Sequence, residues 1–439
     1  MVVSTLIITA CAESIEQTTI PRKEIIRDNR EILTKAIDEQ LTKGVSSTDI
    51  EDYLVYRLNI SLDNVKDIAR FDIDSETYIF IVNLINGEWY IFSGDYSSVP
   101  VIARGEEPLH LNGQLSRHGE MWLQTIHDRI NENKNGHSDK ALNNQTNWIR
   151  TKYLATLHQT NKHYQRTDTN DSFLILDTLI NEYCAALVQT RWDQGSPWNH
   201  SMPKMRYGNN RCLAGCTVIA IAQLLYYTHY AFGFPNDIYE NASCDDYYDQ
   251  GPSYNFNFSN QSTTCWDNMS LSYDWSTFSD PYMPALCALI AHRSHTEYHV
   301  KFPEAYLMDD SYGETSTDTI PGSLNLFSLN GVTKKIFSRD SVINELLHAR
   351  PVLCFGADTN AYGHAFLIDG YRWLKVKETE NVLDENNEVI DTIVNIYDEF
   401  YWHINTGDLS PAHQFWASIN YYYYPSQRHM FIGWRQPNS

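Results

Sequence analysis

The run RCLAGCTVIAIAQLLYY, residues 211–227, passes from a loop into an apolar helix at Gly215 and Cys216. The first N–H groups of a helix have no partner within it, and together with the positive end of the macrodipole they favour thiolate over thiol. Cys216 therefore stands where a nucleophilic cysteine would be made. A small buried residue capping a core helix has the same local sequence, so the position alone leaves both readings open.

Three other segments bear on the choice. In AYGHAFLIDGY, residues 361–371, Gly363 permits close backbone approach and Ala365 to Ile368 form a buried strand that would hold the His364 ring rigidly. A base that takes a proton from a thiol needs that rigidity. His364 follows Cys216 by 148 positions, within the 130–150 typical of papain-type cysteine proteases. In YWHINTGDL, residues 401–409, the Asn405 amide at the end of an apolar strand would accept from the imidazole and fix its tautomer. Asp408 would do the same with a carboxylate, and either residue also suits a turn. In WDQGSPWN, residues 192–199, the Gln194 amide and the Cys216 backbone N–H would hold the oxyanion that forms when a carbonyl is attacked.

Composition excludes other classes. The 439 residues carry 33 Lys+Arg against 55 Asp+Glu, a formal charge of −22, which disfavours nucleic acid as a partner. Apolar residues at 42% and aromatics at 13% mark a folded chain. The eight cysteines lack the Cys-x-x-Cys pairing of a zinc site and are too dilute for a disulfide scaffold. Cys244 and Cys265 suit either a bridge closing a polar surface loop or two buried thiols, and a bridge from Cys212 to Cys216 would mask the nucleophile.

Along the chain, residues 1–11 (MVVSTLIITAC) form a short apolar run ending at a cysteine, too short to span a bilayer. They are similar to a bacterial lipoprotein signal whose lipid-bearing residue would be Cys11. Residues 21–43 place Ile25, Ile26, Leu33, Ile37 and Leu41 near one face of an amphipathic helix. YIFIVNLINGEWYIF, residues 78–92, reads as a hairpin turning at Asn86-Gly87, and a helix is expected near 113–133. Helix, hairpin and helix suggest a small α+β unit. Residues 134–172 are polar and read as an exposed connector, and a domain boundary is placed near 188. Strands are expected at 351–357, 364–371, 391–397, 400–404, 417–424 and 430–434.

The order WDQGSPWN, AGCTVIAIAQLLYY, GHAFLIDGY and HIN resembles the streptopain family of bacterial cysteine peptidases. Upstream, YIFIVNLINGEWYIFSGDYSSVPVIARG, residues 78–105, is similar to the family's prodomain. The resemblance implies an α+β papain-like fold, a helical part and an antiparallel sheet part, over residues 189–439, preceded by a small α+β prodomain over 20–188. It implies Cys216 as nucleophile, His364 as general base and acid, Gln194 as oxyanion donor and Asn405 as the residue orienting His364. It implies peptide or protein substrates, the prodomain as intramolecular inhibitor, and no metal or organic cofactor. With the lipoprotein-like start, it places the protein outside the cytoplasm, on the bacterial surface or outer membrane or secreted.

The family's Trp-Gly-Trp-Gly-Gly after the Asn is replaced here by Thr406-Gly407-Asp408, and an acidic loop near ETENVLDENNE lengthens the His364 to Asn405 interval. Those departures keep two alternatives open: a catalytically weak member acting as a surface binding protein, and, through Asp408, a Cys-His-Asp acyl transferase.

Overall fold

Residues 352–357 and 363–368 alternate their side chains between two cores. Leu353, Ala365 and Leu367 point into one, while Val352, Cys354, Phe366 and Ile368 point into the other. This is the period-two signature of a sheet buried on both faces. The structure, a computed structural model, describes residues 44–439 except 74–75, 108, 110–116, 136–140, 142–143, 153–154, 156–173, 204–210, 234–237, 245–253, 260–263, 273–279, 301–310, 358–362, 384–388, 409–411, 420–425 and 436–439. The export signal, Cys11 and the helix expected at 21–43 lie outside the described residues.

In chain order the first elements are α1 (Ser47–Tyr56), β1 (Val65–Ile73), β2 (Glu76–Leu84), β3 (Trp89–Ser93), β4 (Val101–Gly105), α2 (Arg117–Asn135) and β5 (Leu174–Cys184). There follow α3 (Cys216–Phe232), the β6 (Tyr239–Cys244) and β7 (Tyr254–Ser259) pair, α4 (Thr264–Asp267), α5 (Tyr282–Arg293), the β8 (Glu297–Val300) and β9 (Ser311–Glu314) pair, and α6 (Ile320–Leu326). The chain ends with β10 (Thr333–Ile336), α7 (Arg339–Leu347), β11 (Val352–Ala357), β12 (Gly363–Leu383), β13 (Val389–Asn405), β14 (Gln414–Ser418) and β15 (Ser426–Ile432). Among the described residues one eleven-stranded antiparallel sheet runs β1-β2-β3-β4-β14-β13-β12-β11-β15-β10, with β5 also paired to β12. The fold is α+β and papain-like, with a helical part on one face of an antiparallel sheet.

Local chemistry sets the elements. Ser46 caps α1 reciprocally: its hydroxyl accepts from the Asp49 N–H at 3.3 Å, and the Asp49 carboxylate accepts from the Ser46 N–H at 2.7 Å. The β2–β3 hairpin turns where Asn86-Gly87 was expected, with Gly87 at φ 94°. Gly105 has no room for a side chain because its Cβ would fall on the Trp89 indole.

The first core, between the sheet and α3 and α5, draws among the described residues on those from Val188 to Trp434. The second draws on Tyr78 to Ile432, so Ile79, Trp89, Trp122 and Ile126 share a core with Phe366, Trp402 and Phe415. The segment at 78–130 thus does not keep its core to itself; β4 joins β14 through Trp416↔Arg104 and Ala417↔Ala103.

Two expectations change. Residues 144–152, within the stretch read as an exposed connector, are helical, and Trp148 is fully buried against Tyr53 and Tyr96. One large aromatic outweighs the polar residues around it. The two strands expected at 391–397 and 400–404 are a single strand, and much of the acidic stretch near 377–386 belongs to β12, which reaches Leu383. Glu378 there is fully buried, its charge met by Arg57 and Arg150.

Candidate active site

Gly215 precedes α3 with φ 98°, a left-handed conformation that glycine adopts at little cost. A Cβ there would lie 3.1 Å from the Gly313 carbonyl oxygen, so backbone closeness also demands glycine. Cys216 is the first residue of the helix, as expected. It is a thiol, so no bridge to Cys212 masks it, and Cys265 is a thiol as well.

His364 is the second residue of β12, opposite Gly356 of β11 and fully buried. The Cys216 sulfur reaches this strand: it accepts from the Ala365 N–H at 3.3 Å, one residue past the histidine. The His364 Nε2 lies 2.9 Å from the Thr406 carbonyl oxygen. A carbonyl can only accept, so Nε2 carries the hydrogen and Nδ1 holds the lone pair of a neutral ring. The atom able to take a proton is therefore Nδ1.

Asn405 ends β13 opposite Leu367, next to this acceptor, but its own side chain turns elsewhere. Its Nδ2 donates to the Thr190 carbonyl at 2.8 Å and its Oδ1 accepts from the Gly407 N–H at 3.3 Å. The amide expected to orient the imidazole instead ties β13 to the 188–194 segment, and the neighbouring main-chain carbonyl takes the ring. Thr406 is itself fixed: its hydroxyl lies 2.7 Å from the Asp408 carbonyl and 3.1 Å from that of Ala412, and its N–H donates to His413 at 2.9 Å. Gly407, at φ 62°, lets the turn lie against α3, where a Cβ would meet Ile219 at 3.0 Å.

Gln194 is buried, and its carbonyl accepts from the Ala214 N–H at 2.8 Å, two residues before Cys216. Its segment is held by residues that carry no catalytic motif. The Thr190 hydroxyl donates to Gln223 Oε1 at 2.9 Å, and Gln414 Nε2 donates to the Thr190 carbonyl at 2.9 Å. Gln223 had a visible signal: it is the lone amide in the apolar run TVIAIAQLL, residues 217–225.

The electrostatics differ from expectation. Burial pushes the Cys216 thiol above its ordinary value, and the Asp408 carboxylate adds to this. The N–H groups of Ala365 and Thr217 and the Thr217 hydroxyl pull the other way without prevailing. Of the two candidate indoles, Trp402 packs on Phe400 at 4.7 Å and Trp416 on His403 at 4.9 Å.

A model of the peptidase C10 family matches residues 192–408. The chain carries a peptidase C10 domain. Cys216, His364, Asn405, Asp408 and Gln194 all fall inside the C10 match, and the streptopain resemblance of the motifs names the same family of cysteine peptidases. Among solved structures, a fragment of Prevotella intermedia prointerpain A is similar with a TM-score of 0.53 at 16% identity, over 84% of this chain and 99% of that one. Active wild-type interpain A, a cysteine protease of Prevotella intermedia, matches with a TM-score of 0.40 at 18% identity, over 57% of this chain and 94% of that one. The first shows the shared fold of the C10 domain and the residues before it. No curated protein matches the chain.

Proposed function

We propose that the chain is an exported cysteine endopeptidase made as a zymogen, with Cys216 as nucleophile and His364 as base and acid. The observation that carries the reading is the Cys216 sulfur at the start of α3 beside the His364-bearing strand, with the ring's Nε2 anchored on the Thr406 carbonyl. In this mechanism Nδ1 of His364 takes the thiol proton as the sulfur attacks a peptide carbonyl, and the Cys216 N–H and the Gln194 amide receive the oxyanion. The C–N bond breaks, and the imidazolium proton passes to the leaving amine. Water, deprotonated by Nδ1, then cleaves the thioester, releasing the acid and restoring the thiol. Because burial holds the thiol up, proton transfer accompanies attack rather than preceding it.

Residues 20–188 act as the prodomain, a reading supported by the fold likeness to prointerpain A over most of the chain. Lipidation at Cys11 anchors the protein outside the cytoplasm; uptake of labelled palmitate that persists after Cys11→Ala would refute that anchor.

The test is a peptidyl epoxide and casein, offered to the chain after removal of residues 1–188. Labelling at Cys216 and cleavage are both expected, and both lost in Cys216→Ser; proteolysis unchanged in that variant rules the reading out. A second reading, a catalytically weak member that binds rather than cleaves, is favoured by the raised thiol. It predicts neither labelling nor casein hydrolysis from the trimmed chain.

A further inference from the structure

A cavity of about 180 Å³ lies apart from the Cys216 residues, lined by Arg57, Arg104, Arg372, Tyr90, Tyr401 and Glu399 among others. Its volume is well above the ~10–15 Å³ that one water needs. Three guanidinium groups face it against one carboxylate, in a chain whose formal charge is −22. The neighbouring Glu378 does not redress the balance, because it is shared between Arg57 and Arg150. Among the described residues, four arginines and two glutamates are thus named around this space, and arginine does not give up its charge.

Glu399 is a weak counterion. Burial raises its carboxyl above the ordinary value despite the pull of Arg57, Arg372 and Arg104, and its Oε1 already accepts from the Tyr53 hydroxyl at 3.3 Å. Tyr90 and Tyr401, both raised by burial, keep their phenol hydrogens and remain available as donors. Guanidinium charge in excess of carboxylate, half-buried in a cavity with hydroxyl donors beside it, is met by an anion that can accept several hydrogen bonds at once.

We propose that this cavity binds a small polyatomic oxyanion of the phosphate or carboxylate class, held chiefly by Arg104 and Arg372. A planar guanidinium fork matches two oxygens of either group, which chloride cannot offer. The walls come from α1, β3 and β4 on one side of position 188 and from β12 and β13 on the other. Occupancy therefore stabilises the arrangement in which these segments are together, in proportion to the logarithm of the anion concentration above its Kd. The proposal is independent of the peptidase reading.

The test uses the full chain carrying Cys216→Ala, so that self-cleavage cannot intervene. Sodium phosphate and, separately, sodium succinate are titrated calorimetrically at ionic strength held constant with NaCl, and thermal unfolding is followed under the same conditions. Saturable one-site binding by at least one anion and a rise in Tm over the chloride control are expected. Binding of phosphate alone, succinate alone or both supports the proposal and assigns the source. R104Q and R372Q should each weaken binding by about tenfold or more, and R372K, which keeps the charge but loses the fork, should weaken it too. E399Q should bind at least as tightly as the parent. Circular dichroism checks each variant's fold, and R372K serves where a glutamine variant is unfolded. No saturable binding above the chloride control, affinity retained in folded arginine variants, or affinity lost in folded E399Q would each overturn the proposal.

Discussion

The two faces of the central sheet are built from different lengths of chain. Among the described residues, the face under α3 and α5 is assembled from residues 188–434, and Cys216 and Phe355 pack against it. The opposite face recruits Tyr78, Ile79, Trp89, Trp122 and Ile126 from the segment before 188. The candidate site therefore rests on a core drawn from the C10 match and the residues just flanking it, whereas the opposite core is completed by the segment before 188. The segment before 188 thus completes one face without being part of the packing that shapes the other.

The largest break in this comparison is expected from Trp122→Ala. Trp122 is fully buried against Phe415, ring centroids 4.8 Å apart, and its loss should cost about 3–5 kcal/mol. Chemical denaturation of the full chain should show one transition shifted as a whole; a second transition unmoved by the substitution would mean that the shared core does not couple the two parts. Glu378→Gln should come next, at about 3 kcal/mol, since it leaves Arg57 and Arg150 without their carboxylate. The same denaturation experiment measures it, and a change near zero would show that the pair is not buried in solution.

On the face under α3 and α5, Asn405→Ala should cost about 1–3 kcal/mol, because the Gly407 N–H loses its acceptor while the Thr190 carbonyl keeps only the Gln414 donor. The pH profile of any peptide turnover should barely move, because the ring leans on Thr406. Thr406→Val, which frees the turn carrying that carbonyl, should shift the profile; the opposite pattern would return the orienting role to the asparagine. The smallest effect concerns pH. With the thiol raised by burial, iodoacetamide should alkylate Cys216 slowly near neutrality and faster as pH climbs past the ordinary thiol range. A rate already maximal at pH 6 would show a thiolate stabilised below it.

Much of this was legible in the residues. The apolar helix after Gly215, the Asn86-Gly87 hairpin and the buried strand after His364 all announce themselves through periodicity and turn chemistry, which are local. The helix at 144–152 did not, because its one large buried apolar side chain is Trp148, set among buried polar residues such as Asn144 and Thr151, and its partners Tyr53 and Tyr96 lie about ninety-five and fifty positions away. Asn405 was read as the residue orienting the histidine, but which of two adjacent acceptors meets the ring depends on the turn at Gly407 and its contact with Ile219. The sign of the Cys216 shift was hidden for a related reason: a helix N-terminus is visible in sequence, and the depth at which it is buried is not.

The pairing of β4 with β14 has a consequence for a chain shortened before 188. Residues Trp416 and Ala417 would lose their neighbours Arg104 and Ala103, leaving N–H and C=O groups along one side of a five-residue strand. Such a rim is a template for strand addition, able to accept an extended peptide or a second sheet. Its brevity limits the hazard of sticking to copies of itself. Trimming the chain would in that way uncover a new docking rail alongside whatever it does for Cys216.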